Sequence, residues 1–358
     1  MNISYPLRKF TYTIYNDTKP FLKGAYGMRQ INIDPILEKI EAALRQHEIS
    51  PGCYTRWTRQ PEQSPHPLGP NPYACADAAA ILHILNRFPA NPAVRAAFVD
   101  TLQGFQDQES GLFMASTHHV VHTTACCVNA LHLLGAKAKY PFVELNEYLN
   151  VQAVFDMLEE RDWLRQGLGA HPGAGLYTVL AFGSEAGAEW EETYFSWLDS
   201  QCDVTSGFWK KEPVDDTFTV WQQLRDTANF LFNYEYARRP FPCPMALIDS
   251  CLNMYLTDQM PENFGKGIRH FELDWVYCLN RASRQTSYRF EEIKAALNRF
   301  AQDYTAFLCG IDWTRQAAAD DLHCLCGTLH CLTELQQALP GVLKSSRPLL
   351  NTLDRHPF

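Results

Sequence analysis

The sequence predicts an all-α protein of about six helical hairpins closed into a ring of inner and outer helices. Three observations predict it. Apolar residues recur at helical spacing in one segment after another, with almost no strand-like alternation. The connections between these segments are mostly short, which makes consecutive helices antiparallel neighbours. A turn built of a polar cluster, a glycine and an aromatic residue occurs twice, and internal repeats mark ring and solenoid folds.

Residues 1–33 read as an irregular segment with scattered Tyr, Thr and Gly. Asp34 followed by Pro35 is a helix start, and Ile36, Leu37, Ile40 and Leu44 form one apolar stripe, so a helix is expected over 34–47. Residues 50–73 are rich in Pro and Gly and predict a long loop over the cavity of the ring. That loop carries Arg56, Trp57, Arg59 and His66. Helices are then expected over 74–87, 92–106, 122–134, 142–160, 172–183, 188–201, 217–237, 243–258, 272–284, 290–308 and 320–338. No segment reads as an interdomain linker, so 1–358 is expected to be a single domain.

Composition sets further bounds. The chain has 358 residues, 46% hydrophobic and 20% charged, which excludes a disordered or low-complexity protein. The formal net charge of -9 and the lack of a Lys/Arg run argue against nucleic acid and anionic lipid as partners. No apolar run is long enough to span a bilayer, and Met1 to Phe10 lack a signal pattern. The 12 cysteines include no CxxC pair, and several lie in apolar helical stretches, as buried free thiols of a reducing compartment do. A cytoplasmic protein with a small-molecule substrate is expected; the sequence assigns no oligomeric state.

The repeated turn runs Leu102, Gln106, Ser110-Gly111-Leu112-Phe113 in one copy and Trp197, Gln201, Ser206-Gly207-Phe208-Trp209 in the other. The glycine permits a left-handed turn, the Gln amide can bond carbonyls at the helix end, and the aromatic folds back on the next hairpin. Polar clusters then restart a helix: His118 to Thr124 after the first turn, Val214 to Thr217 after the second. Asp320-Asp321-Leu322-His323 is a weaker third echo.

This pattern resembles the repeats of the terpenoid cyclase and protein prenyltransferase alpha/alpha toroids. His122 to Gly135 is similar to a prenyltransferase repeat. Asp321-Leu322-His323 leading into Cys326-Gly327-Thr328-Leu329 looks like that family's last zinc-ligand helix. The resemblance covers about Ala74 to Leu339 and implies a toroid with a central cavity; six-hairpin glycosidases and sugar epimerases share a related ring. The departures matter. Where a prenyltransferase offers Asp-x-Cys, this chain has Asp215-Asp216-Thr217, so no thiolate ligand is present and neither zinc nor another cofactor is expected. A proton-initiated cyclase offers Asp-x-Asp-Asp; Pro213-Val214-Asp215-Asp216 keeps only the last two carboxylates.

Inner helices of such a ring start at one mouth, so polar residues at their first turns should converge. The expected catalytic residues are Asp77, His119, His122, Asp274 and His323; the expected substrate contacts are Arg56, Trp57, His118, Asp215 and Trp275. The histidines at 118, 119 and 122 fit acid/base work, helix capping or metal ligation. Asp215-Asp216 also fits helix capping, and Asp274 fits a salt bridge to Arg281 or Arg284. The polar helix starts favour a carbohydrate-processing enzyme, whether hydrolase, lyase or epimerase. A terpenoid-cyclase-like enzyme and a non-catalytic binding ring are the alternatives.

Overall fold

A computed structural model describes residues 29–59, 68–115, 118–160, 170–183, 186–209, 220–257 and 259–354. Asp215, Asp216 and His66 lie outside the described residues. Among those described, the chain forms twelve α-helices and four strands of two or three residues, so the all-α expectation holds.

The helices are α1 (Asp34–His47), α2 (Pro72–Ile84), α3 (Pro92–Gly104), α4 (Val120–Leu133), α5 (Val151–Glu160) and α6 (Ala170–Gly183). They continue with α7 (Ala188–Gln201), α8 (Val220–Ala237), α9 (Pro244–Leu256), α10 (Phe271–Ser283), α11 (Phe290–Gly310) and α12 (Leu322–Ala338). Strands β1 (Ile31–Asn32) and β4 (Leu343–Lys344) pair in parallel, and β2 (Glu48–Ser50) pairs antiparallel with β3 (Cys53–Tyr54).

Two kinds of helix are present. α1 and α11 bury a single stripe, in α11 Ile293, Ala296, Leu297, Phe300, Ala301, Tyr304 and Leu308, as amphipathic surface helices do. α2, α4, α10 and α12 are buried on nearly every side. The even-numbered helices pack in succession: α2 on α4, α4 on α6, α6 on α8, α8 on α10, α10 on α12, and α12 back on α2. The odd-numbered helices cover them, with α9 and α11 against α10 and α1 against α12.

The repeated turn is present twice and is nearly superimposable in its bonds. The amide of Asp107 donates to the Leu112 carbonyl at 2.9 Å, and that of Asp203 to the Phe208 carbonyl at 2.9 Å. Gly111 and Gly207 have φ of 79° and 72°. The Phe113 amide donates to Thr124 Oγ1 of α4, and the Trp209 amide to Thr227 Oγ1 of α8. The expected role of Gln holds in one copy only. Gln106 Nε2 donates to the Gly111 and Tyr140 carbonyls, both at 2.8 Å. Its counterpart is Cys202, which pairs with Trp209 as Gln106 pairs with Phe113; Gln201 is the last residue of α7 and reaches only Ser200.

Three boundaries differ from expectation for identifiable reasons. The helix expected over 142–160 breaks into a 3-10 turn, Val143–Leu149, and α5, because Asn150 is extended and its side chain accepts the Gln152 amide. Asp34 does not cap α1; its carboxylate accepts the Ser346 amide and ties the C-terminal segment to α1. The 50–73 loop contains β3, and Arg56 and Thr58 bond the backbone at the start of α12.

Candidate active site

The first turns of the even-numbered helices bring an unusual set of side chains together. In α2 they are Tyr73 and Asp77, in α4 His118 just before the helix and His122, in α6 His171, in α10 His270 just before it, and in α12 His323. His323 Nδ1 lies 3.2 Å from Asp77 Oδ2. Its ring stacks on His270 at 3.8 Å between centroids and meets His118 edge-on at 5.2 Å. His122 stacks on His171 at 4.0 Å and lies 5.4 Å from His118. Gly327 makes room for this arrangement: a β-carbon there would stand 2.6 Å from His270 Nδ1.

Arg56 joins the long loop to the cluster. It donates to both carboxylate oxygens of Asp321, at 3.0 and 3.2 Å, and to His118 Nδ1 at 3.2 Å. A guanidinium can only donate, so His118 accepts at Nδ1 and carries its proton on Nε2. Tyr73 stacks on His118 at 4.2 Å, and its hydroxyl lies 2.8 Å from His122 Nε2.

Burial sets the protonation states. It depresses the pKa of His118 to about 2 and of His171 to about 3, and each is pushed further down by neighbouring cationic groups. His122, His270 and His323 are also held well below the ordinary value, again chiefly by burial. These imidazoles are therefore neutral at pH 7. Tyr73 is held well above its usual value by burial, so its hydroxyl donates to the neutral His122 ring. Burial raises Asp77 to about 7, against the pull of Arg56. Asp274 of α10 rises to about 8 through burial, opposed by Arg225 and reinforced by Glu272 and Asp226.

The structure sorts the expected residues. Asp77, His118, His122, His323 and Arg56 come together. His119 lies at the same end of α4, but its Nδ1 accepts the Val121 amide at 3.3 Å, which is the capping arrangement. Trp57 is buried with the Arg56 guanidinium 4.7 Å over its ring, so the face expected to receive substrate has a packing partner. Trp275 is a correction: fully buried, it donates from Nε1 to the Cys251 carbonyl and packs on Tyr255, Phe264 and Phe300 among the covering helices. Asp274 is not paired with Arg281, which instead binds Glu334, Glu235 and Asp354. The cation acting on Asp274 is Arg225.

Sequence reasoning missed His171, His270, Arg225 and Asp226. His171 and His270 each stand alone in the sequence at the start of a helix, and only the helix-start rule that singled out His118 could have found them. Among the described residues, no group of three His, Cys, Asp or Glu is arranged to hold a metal ion, and no helix is long and apolar enough to cross a membrane. No protein-family model, curated protein or solved structure matches the chain.

Proposed function

We propose that the even-numbered helices form the inner wall of an alpha/alpha toroid whose N-terminal mouth is the active site of a carbohydrate-active enzyme working by proton transfer. The succession of packing that returns from α12 to α2 supports the ring. Half-buried His118, His270 and His323 support an interior space: each retains accessible surface while its ring packs against the others from a different helix.

The observation that carries the chemistry is the Asp77–His323 pair, 3.2 Å apart. Burial pushes the carboxyl up to about 7 and the imidazole down, so near neutral pH the carboxyl titrates beside a neutral imidazole. Such a pair gives up or accepts a proton near neutral pH. With Asp77 ionised, neutral His323 takes a proton from a carbon beside a carbonyl, and the Asp77 carboxylate stabilises the imidazolium that forms. The reverse step returns the proton.

This reading narrows the carbohydrate chemistry to a lyase or epimerase. Glycoside hydrolysis uses two carboxyls flanking the scissile bond, whereas the close pair at these helix starts joins a carboxyl to an imidazole. The terpenoid alternative is disfavoured by the same cluster, because neutral imidazoles would capture a carbocation. A non-catalytic ring has no need of a carboxyl and an imidazole matched in this way.

The test is to incubate the protein in D₂O with a panel of aldoses, ketoses and uronates and follow loss of the C–H signal beside the carbonyl by NMR. Exchange abolished by Asp77→Asn and His323→Ala supports the proposal. Turnover of an isoprenoid diphosphate with no exchange on any sugar overturns it.

A further inference from the structure

The second repeated turn lacks the side-chain staple that closes the first, and two cysteines stand in its place. In the first turn, Gln106 pairs with Phe113, accepts the Lys139 and Tyr140 amides at 2.7 and 2.9 Å, and donates to the Tyr140 carbonyl at 2.8 Å. Its side chain thus fastens the turn to the segment that leads into the next covering element, Val143–Leu149. In the second turn Cys202 takes the place of Gln106, paired with Trp209. The segment that leads into the next covering helix, α9, ends at Cys243.

Backbone and ring contacts lay that segment on the turn in both copies. A β-carbon on Gly111 would fall on the Pro141 carbonyl, and one on Gly207 on the Leu247 backbone. The Leu247 amide in turn donates to the Cys243 carbonyl at 3.1 Å. Ser250 Oγ of α9 donates to the Ser206 carbonyl at 2.7 Å, and Trp209 meets Phe241 edge-on at 5.0 Å between centroids. The Cys202 and Cys243 thiols come within hydrogen-bonding reach of each other: burial holds the Cys202 thiol above its ordinary pKa, and the contact with Cys243 adds to that. Cys202 is buried and Cys243 is partly exposed. Neither belongs to the cluster at the starts of the even-numbered helices, since Cys202 follows α7 and Cys243 precedes α9.

A thiol is a weak donor and a weak acceptor, so the reduced pair holds the turn less firmly than the Gln106 amide holds its own. A covalent bond between the sulfurs reverses that order. We propose that Cys202 and Cys243 are a redox-sensitive pair that closes to a disulfide and staples the second turn to α9, as Gln106 staples the first turn to the segment before Val143. The oxidant is a low-molecular-weight disulfide such as oxidised glutathione. The Cys243 thiolate, which solvent reaches first, attacks one sulfur of the oxidant, whose S–S bond breaks; one glutathione leaves and takes up a proton. The Cys202 thiolate then attacks the Cys243 sulfur of the mixed disulfide and displaces the second glutathione. Two protein thiols give up two electrons and two protons, and one small disulfide becomes two thiols.

The experiment incubates the folded full chain with oxidised glutathione, blocks the remaining thiols with N-ethylmaleimide and maps the digest by mass spectrometry. The expected product is a Cys202–Cys243 cross-linked peptide that dithiothreitol releases. The bond closes a loop of roughly 40 residues, so the cross-linked protein should melt about 4 °C higher than the reduced one. Its amides over 203–209 should exchange with D₂O about tenfold more slowly. Cys243→Ser should abolish the cross-link and both effects; it decides alone should the buried Cys202→Ser fail to fold. Glutathione retained on Cys243 with no cross-link overturns the proposal, and so does a cross-link that forms only in urea. A cross-link that leaves melting and exchange unchanged overturns the staple.

Discussion

His323 Nδ1 reaches to 3.2 Å from Asp77 Oδ2 and so ties α12 to α2, the last and the first of the even-numbered helices, which also pack on each other. The contact joins residues 246 positions apart in sequence. Burial is the largest influence on both and opposes the charged form, against the pull of Arg56 on Asp77.

That balance makes Asp77→Asn informative. A carboxyl whose folded pKa is raised holds a proton that the unfolded chain has already released, so it lowers stability as pH rises from about 4 to about 7. Asparagine removes this liability while keeping the shape. The variant should melt at a higher temperature than the parent at pH 8 and at nearly the same temperature at pH 4, and should lose proton exchange at both. Scanning calorimetry at the two pH values checks it; a lower melting temperature at pH 8 would mean that the ionised carboxylate is well solvated.

Gly327→Ala tests whether the stacked pair His270–His323 depends on close approach. A methyl group at 327 would meet the His270 ring at 2.6 Å from Nδ1. The ring must shift, because the backbone of α12 is fixed on both sides by packing. We expect the helix content to remain and the His270 and His323 imidazole NMR signals to move. Unchanged signals would place His270 away from α12.

Much of the fold was legible in the sequence, and for a local reason. The stripe Ile36, Leu37, Ile40 and Leu44 and the glycine turns at 111 and 207 act within a few residues, so pattern alone locates α1 and the repeated turns. The even-numbered helices were legible as elements but not by face, because α2 and α12 are buried on nearly every side and have little polar side to read. The candidate site was half legible. Asp77, His118, His122 and His323 follow from the helix-start rule. Trp275 and Asp274 are adjacent in sequence, yet a helix turns them to different neighbours, and only packing tells which residue meets the covering helices. Arg281 likewise reads as a partner for Asp274 two turns along the same helix, whereas it is claimed by Glu334, far away in sequence.

The two repeated turns should be equally intolerant of a side chain. A β-carbon on Gly111 would fall on the Pro141 carbonyl, and one on Gly207 on the Leu247 backbone. Both glycines also have φ in the left-handed region. Gly111→Ala and Gly207→Ala should each cost more than about 2 kcal/mol in urea unfolding. Gly135→Ala shares the left-handed φ but meets nothing within 4 Å, so it should cost about 1 kcal/mol. Equal losses at all three would mean that backbone strain alone decides.

Arg281 and Glu334 form a fully buried pair at 2.6 Å, with Asn280 and Asn351 also donating to Glu334. Removing one partner strands a buried charge and costs about 3–5 kcal/mol. Arg281→Leu should cost more than Glu334→Gln, because Arg281 also neutralises Glu235 and Asp354. Chemical denaturation of the two variants checks the order; the reverse order would assign the stability to the Asn contacts of Glu334.

The imidazole cluster predicts how the protein responds to acid. His118, His122, His171, His270 and His323 all have folded pKa values below the ordinary 6.5. In the unfolded chain each takes a proton near pH 6.5, while the folded chain resists until far lower. The unfolded state therefore binds more protons below pH 6.5, and folding stability falls as the pH falls through that value. Asp77 and Asp274 act in the opposite sense, since their folded values of about 7 and about 8 let the folded state keep protons that the unfolded state loses. His47, His132 and His330 are lowered as well, and Asp226 and Glu272 raised, so eight imidazoles stand against four carboxyls and the net slope favours unfolding in acid. The melting temperature should drop steeply between pH 6.5 and 5, and the drop should be shallower in His171→Phe, which preserves the stack on His122 and removes one titrating ring. A melting temperature that stays level across this interval would mean that water reaches the rings and keeps their protonation ordinary.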